Sequence, residues 1–159
     1  MAVIDDIVEA HRAPSKVMSR QLQSAGHEIL NLTLALAVGF LTFVSAIPRT
    51  IAEANLTDVP VPALLLPTAF GALAILPILL YGIAALQRSI SKLLGFGGTG
   101  AGARRAVFWA FMVSMPWVLA HGLLGDIIPN AAGLVLALMA FCVFSVTWIV
   151  GIRLNEAKS

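Results

Sequence analysis

Four runs of about twenty apolar residues, set apart by short polar stretches, give this chain its pattern. No charge falls between Glu28 and Arg49, between Asp58 and Arg88, between Arg105 and Asp126, or between Asp126 and Arg153. A helix rising about 1.5 Å per residue crosses a hydrocarbon core of about 30 Å in roughly 20 residues. The pattern therefore predicts four membrane-spanning helices, at about 29–47, 62–86, 106–124 and 131–152. Pro48 is expected to end the first, leaving Arg49 to Asp58 as a short loop. The second charge-free run, Val59 to Leu86, is longer than the bilayer needs, and Pro77 inside it predicts a bend near Leu73 to Pro77. Asp126, Pro129 and Asn130 predict a tight turn between the last two spans.

Residues 1–27 read differently. Ile4, Ile7, Val8 and His11 recur at helical spacing beside Asp5, Asp6 and Glu9, Pro14 suits the first turn of a new helix, and Met18, Leu22 and Ala25 then share a face. This pattern predicts a short amphipathic helix at the membrane interface, with Arg12, Lys16 and Arg20 near the surface. The chain thus divides into an N-terminal segment (1–27), a four-helix transmembrane domain (28–152) and a polar tail (153–159).

Charge sets the orientation. The stretch from Gln87 to Arg105, expected as a flexible Gly-rich loop, carries Arg88, Lys92, Arg104 and Arg105 and no acidic residue. With Arg12, Lys16 and Arg20 before the first span and Arg153 and Lys158 after the last, nine basic residues fall on one side and Arg49 alone on the other, which predicts both termini in the cytoplasm. Trp109 and Trp148, near the cytoplasmic ends of their spans, fit an interfacial aromatic belt. The fold class is therefore an all-α integral membrane protein of four transmembrane helices, N-in and C-in. Composition agrees: 59% of residues are apolar and 11% charged, against roughly 45–50% and about 25% in soluble domains. The pI near 9.1 reflects topology and predicts no nucleic-acid partner.

Candidate chemistry is sparse. Gly95-Phe96-Gly97-Gly98-Thr99-Gly100 has the letters of a dinucleotide fingerprint but joins two spans, where that motif must follow a strand and open a helix. The single cysteine, Cys142, lies in an apolar run and offers neither a disulfide nor a metal cluster. No catalytic, cofactor-binding or metal-ligating set assembles, and no cofactor is predicted. Arg88, Lys92, Arg104 and Arg105 are candidates for contact with anionic lipid head groups. Ala35, Gly39, Gly71 and Gly82 are candidates for close helix packing. His121, inside the third span with Asp126 five positions on, is a candidate intramembrane polar site.

Four segments carry a family resemblance: IVEAHRAPSKVMSRQL (Ile7 to Leu22), PILLYGIAAL (Pro77 to Leu86), GARRAVFWA (Gly102 to Ala110) and PWVLAHGLLG (Pro116 to Gly125). Together they resemble the alphaproteobacterial branch of the Yip1 domain family, polytopic membrane proteins whose eukaryotic relatives take part in membrane trafficking and organisation, typically with five spans where four are counted here. The resemblance implies an interaction or organising protein of the bacterial inner membrane rather than an enzyme. The expected function is that of an accessory subunit or scaffold working through lateral contacts with membrane lipids, other integral membrane proteins or copies of itself. The alternative is a small-solute permease or channel, working as an oligomer with the Pro77 bend and His121 along the path.

Overall fold

Apolar runs in a medium without water must satisfy their backbone internally, and this chain does so with helix almost throughout. The computed structural model describes residues 3–125 and 127–157. Asp126 and Lys158, used above for the turn, the His121 pair and the charge count, lie outside the described residues. The helices are α1 (Val3–Arg12), α2 (Pro14–Gln23), α3 (Glu28–Thr57), α4 (Val61–Phe70), a π-helical segment (Gly71–Ile75), α5 (Leu76–Leu93), α6 (Gly100–Leu124) and α7 (Asn130–Glu156). α4, the π-helical segment and α5 run end to end. Four continuous stretches, Glu28–Thr57, Val61–Leu93, Gly100–Leu124 and Asn130–Glu156, are therefore long and apolar enough to cross a membrane. The chain has the build of a multi-pass membrane protein.

Three expectations need correction. Pro48 does not end the first span, because α3 continues to Thr57 and takes Arg49 to Thr57 out of the loop. In an apolar medium, losing the single bond to the Val44 carbonyl is cheaper than exposing a whole turn of unpaired backbone. Ser45 and Thr50 bond back to the carbonyls of Thr42 and Ala46 on either side of the proline, at 2.7 and 2.9 Å. The true stop is Asp58, at a φ of 53°, followed by Pro60. Second, the polar stretch Gln87 to Arg105 is mostly helix: Arg88 and Lys92 lie on the last turns of α5, Arg104 and Arg105 on the first turns of α6, and only 94–99 connect them. Third, Trp109 is not an interfacial belt residue. It is 1% exposed, at the centre of the bundle. Where a bend is expected near Leu73 to Pro77, the backbone takes a π-helical segment, Gly71–Ile75, just before Pro77.

α6 is the hub of the bundle. It runs parallel to α3 and antiparallel to α5 and α7, and its side chains Phe108, Trp109, Met112 and Val113 fill the axis. The start of α3, the 94–99 connection and the end of α7 gather at one end through Glu28 with Arg104 and Thr99 with Asn155. Arg88, Lys92 and Arg153 lie on the adjoining turns of α5 and α7, so this is called the basic end below. The opposite end carries Arg49.

The N-terminal segment folds as two helices, the second starting at Pro14 as its place in the sequence predicts. Pro14 begins α2, which lies antiparallel to α1, and Asp6 and Glu9 of α1 meet Arg20, Gln21 and Lys16 of α2 at 2.5 to 3.1 Å. α1 turns Ala10 inward and leaves Ile4 and Val8 open, at 72% and 56% exposure. α2 buries Val17, Met18 and Leu22 against α6 and α7. The hairpin therefore runs alongside the spans. Near its turn, the Trp117 indole N–H donates to His11 Nε2 at 3.0 Å, and Ala10, His11 and Pro14 line a cleft with Cys142, Val143, Val146 and Thr147 of α7.

The Arg20 guanidinium, with Lys16 beside it, holds the Glu9 carboxyl well below the usual carboxylate range, at about 2. A group whose pKa is depressed by folding contributes stability above its unfolded value of 4.5, and that stability disappears as pH falls towards 2. Hydrogen exchange over residues 3–23, corrected for the intrinsic rate, is expected to accelerate across this window in the wild type. Glu9→Gln should be loose already at neutral pH and lose the acid step. Equal acid responses in both proteins would remove Glu9 as the cause.

Candidate functional site at the basic end

Glu28 anchors the basic end from the first turn of α3. Tyr81 donates its hydroxyl to Glu28 Oε1 at 2.8 Å, and Arg104 donates Nη2 and Nε to Oε2 at 2.8 and 3.2 Å. Asn31, buried one turn further in, gives its Nδ2 to the Ala25 carbonyl at 2.9 Å and to Glu28 Oε2 at 3.4 Å. α3, α5 and α6 are thus joined through one carboxylate.

The next residue along α6 faces elsewhere. Successive helical residues diverge by about 100°, so Arg105 turns inward where Arg104 turns to the rim. Arg105 is 3% exposed. Its Nη2 donates to the Ser24 carbonyl at 3.1 Å and its Nη1 to Gln21 Oε1 at 3.5 Å, while Nε has no partner among the described residues. Of the four expected head-group contacts, Lys92 is exposed, Arg88 is half-buried and donates to the Phe96 carbonyl at 3.2 Å, and Arg104 is paired. Arg105 is a correction: it pins the end of α2 to α6 and does not reach the surface.

The 94–99 connection is tied down rather than flexible. Gly95, at a φ of 82°, makes the turn after α5. The Gly98 N–H donates to Glu156 Oε2 at 2.8 Å, Asn155 bonds Thr99 in both directions, and the Thr99 hydroxyl caps α6 by accepting from the Gly102 N–H at 3.0 Å. A Cβ at Gly102 would collide with the Asn155 amide. Gly98 of the fingerprint-like stretch, with Gly102 beyond it, serves the packing of the start of α6 against the end of α7.

Between α5 and α7, beside this connection, lies a lateral groove of about 540 Å³, lined by Ile83, Leu86, Ile90, Leu94, Phe96 and Ile152, with Arg153 and Glu156 at its rim. Gln87 and Trp148 form its inner wall. The indole N–H of Trp148 donates to Gln87 Oε1 at 2.7 Å, which fixes the amide orientation because an N–H donor requires the carbonyl oxygen. Gln87 is 8% exposed, and its Nε2 has no partner among the described residues.

Small residues are sorted by the fold. Ala35 is fully buried, and Gly39 lets α3 meet the Ala72 carbonyl of the π-helical segment. Gly71 and Gly82 face open space and hold no helix close, contrary to expectation. Further close approaches between spans are at Gly122, against the Ser45 carbonyl, and at Gly151, against Ala106 and Met18. Both positions lie outside the expected set.

His121 lies towards the opposite end of the bundle, exposed, in a cavity of about 350 Å³ with Ser45, Ala46, Arg49, Gly122 and Gly125. Pro77 packs near Gly39 and does not share that cavity, so the two features proposed for a solute path are separate. Among the described residues, no group of three or more His, Cys, Asp or Glu could hold a metal ion.

Sequence reasoning missed Glu28, Tyr81, Gln87, His11 and Asn155 as members of sites. The signal available for Gln87 and Asn155 was a polar amide on an otherwise apolar helical face. For His11, 106 residues from Trp117, no local signal exists. No family model, curated protein or solved structure matches the chain.

Proposed function

We propose that this protein is a non-enzymatic subunit of the bacterial inner membrane that works by lateral contact, both termini cytoplasmic, with another integral membrane protein seated over the α1–α2 hairpin. The observation that carries the reading is the depth of the hairpin. Trp117, which holds His11, is twelve residues beyond Arg105, about 18 Å along α6. Cys142, beside Pro14, is thirteen residues before Asn155, about 20 Å along α7. Arg12 and Lys16 therefore face outward alongside the middle of two spans, Lys16 with 69% of its side chain exposed. Arg12 and the exposed Lys16–Glu9 pair are unfavourable against lipid at that depth, where polar groups pair with protein or line water. A partner helix bearing its own polar residues satisfies this face.

The four motif segments support placing the chain with the alphaproteobacterial branch of the Yip1 domain family, as an organising protein. The permease reading would need its path between copies, because Phe108, Trp109, Met112 and Val113 occupy the axis of the single bundle.

Tagged protein extracted in mild detergent and separated on a native gel is expected to carry a stoichiometric membrane partner, identified by mass spectrometry. The double substitution Arg12→Glu, Lys16→Glu should release it. Migration of the wild type as a homo-oligomer or monomer alone would overturn the accessory-subunit reading.

A further inference from the structure

We propose that the groove between α5 and α7 is a binding site for one phospholipid of the adjoining leaflet. Three features of the groove point to a phospholipid rather than to a packing partner. Its walls are aliphatic along Ile83, Leu86 and Ile90 on α5 and Ile152 on α7, and it opens sideways, as an acyl chain requires. Gln87, on its inner wall, carries a hydrogen-bond donor, Nε2, that is buried and unpartnered among the described residues, and a small shift of the amide edge towards the groove brings it to an acceptor there. Such a donor in an apolar wall is unfavourable until an acceptor reaches it. Its rim carries the Arg153 guanidinium, five residues beyond Trp148 and therefore about 7.5 Å nearer the membrane surface.

Apolar chain, acceptor and anion, in that order from the membrane interior outward, is the sequence of groups in a glycerophospholipid. One acyl chain lies along Ile83, Leu86 and Ile90, an ester carbonyl accepts from Gln87 Nε2, and the phosphate sits beside Arg153. Glu156 also borders the groove, its Oε2 accepting from the Gly98 N–H of the 94–99 connection. A partner helix would supply aliphatic side chains but, without a polar residue at that height, no acceptor. The volume of about 540 Å³ lies within the range of roughly 300–1,000 Å³ usual for ligand sites.

This inference rests on the reading of the chain as one that works through lateral protein and lipid contacts, and its test uses the purified chain alone. In vesicles of phosphatidylethanolamine and phosphatidylglycerol containing a trace of phospholipid with a photoactivatable diazirine on one acyl chain, adducts are expected to concentrate on Ile83 to Ile90 and on Trp148 to Arg153. They should be sparse on Leu66, Phe70 and Leu134, which are equally apolar and at least as open as most of the groove wall. Gln87→Leu should lower groove labelling about fivefold, the worth of one net hydrogen bond. Ile90→Trp fills the groove without touching the Gln87–Trp148 bond and should lower labelling as well, which covers the case of a Gln87 variant that folds poorly. Labelling spread in proportion to exposure, or unchanged by either substitution, would overturn the site. Loss of the partner complex with groove labelling intact would instead overturn only the accessory-subunit reading.

Discussion

Gly122→Val is expected to destabilise the bundle by about 3 kcal/mol, while Gly71→Ala and Gly82→Ala leave it unchanged or stabilise it by about 0.5–1 kcal/mol. All four spans contain glycine, so composition alone would rank these substitutions together. Contact separates them. A side chain at Gly122 meets the Ser45 backbone carbonyl of α3, and a helical carbonyl cannot swing aside as a side chain can. α3 would have to move away from α6, opening the packing that Ala35 and Val38 make against Val107 to Met115 in the shared core. Gly39→Val should behave like Gly122→Val, because it meets the Ala72 carbonyl of the π-helical segment. At Gly71 and Gly82 an added methyl meets nothing within 4 Å, and the helix gains the restriction of its unfolded backbone. Titration with a denaturing detergent followed by circular dichroism checks the set. Equal midpoints for Gly122→Val and Gly82→Ala would show that α3 and α6 are not held at this distance.

The same contrast shows how much was legible in the sequence. The number and placement of the spans were, because span length is dictated by bilayer thickness and charge is excluded from the hydrocarbon. Pro77, deep in an apolar run, pointed to a disturbed helix, but not to its form, a π-helical segment at Gly71–Ile75. The ends of the helices were not: Arg88, Ser89 and Lys92 report that α5 has reached water, yet say nothing of whether the backbone stays helical there, and it does. Pro48 misled in the opposite direction, because a breaker in water is tolerated where leaving the helix would strand more backbone. Side-chain roles at the basic end depended on rotation about α6, and no property of the dipeptide Arg104-Arg105 tells which arginine faces Glu28 and which faces Ser24. Trp109, placed at the interface by its position in the chain, is in the core for the same reason: it is one helical turn from Arg105, on the face that α6 turns inward.

Arg105→Glu is expected to detach the α1–α2 hairpin from α6, at a cost of about 3–5 kcal/mol to the docked state. Arg105 donates to two acceptors on the hairpin side, the Ser24 carbonyl and Gln21 Oε1. A carboxylate in its place would set a third acceptor among them, with Glu28 close by and no donor to balance the charge. Arg105→Met separates charge from hydrogen bonding: it loses both bonds, about 1–3 kcal/mol for the acceptors left unpaired, but relieves the burial of a cation that has no carboxylate in direct contact among the described residues. Its hairpin should therefore open less than that of Arg105→Glu. Trypsin reads the difference at Arg12 and Lys16, since cleavage follows the open population when opening is fast. A shift of about 3 kcal/mol corresponds to more than a hundredfold in that population. Protection unchanged in Arg105→Glu would mean that the apolar contacts of Val17, Met18 and Leu22 suffice to hold the hairpin. Where detachment does occur, the partner complex should go with it, because its seat is the hairpin. Phospholipid labelling at Gln87 should persist, because the groove is lined by α5, α7 and their neighbouring connection and takes nothing from α1 or α2.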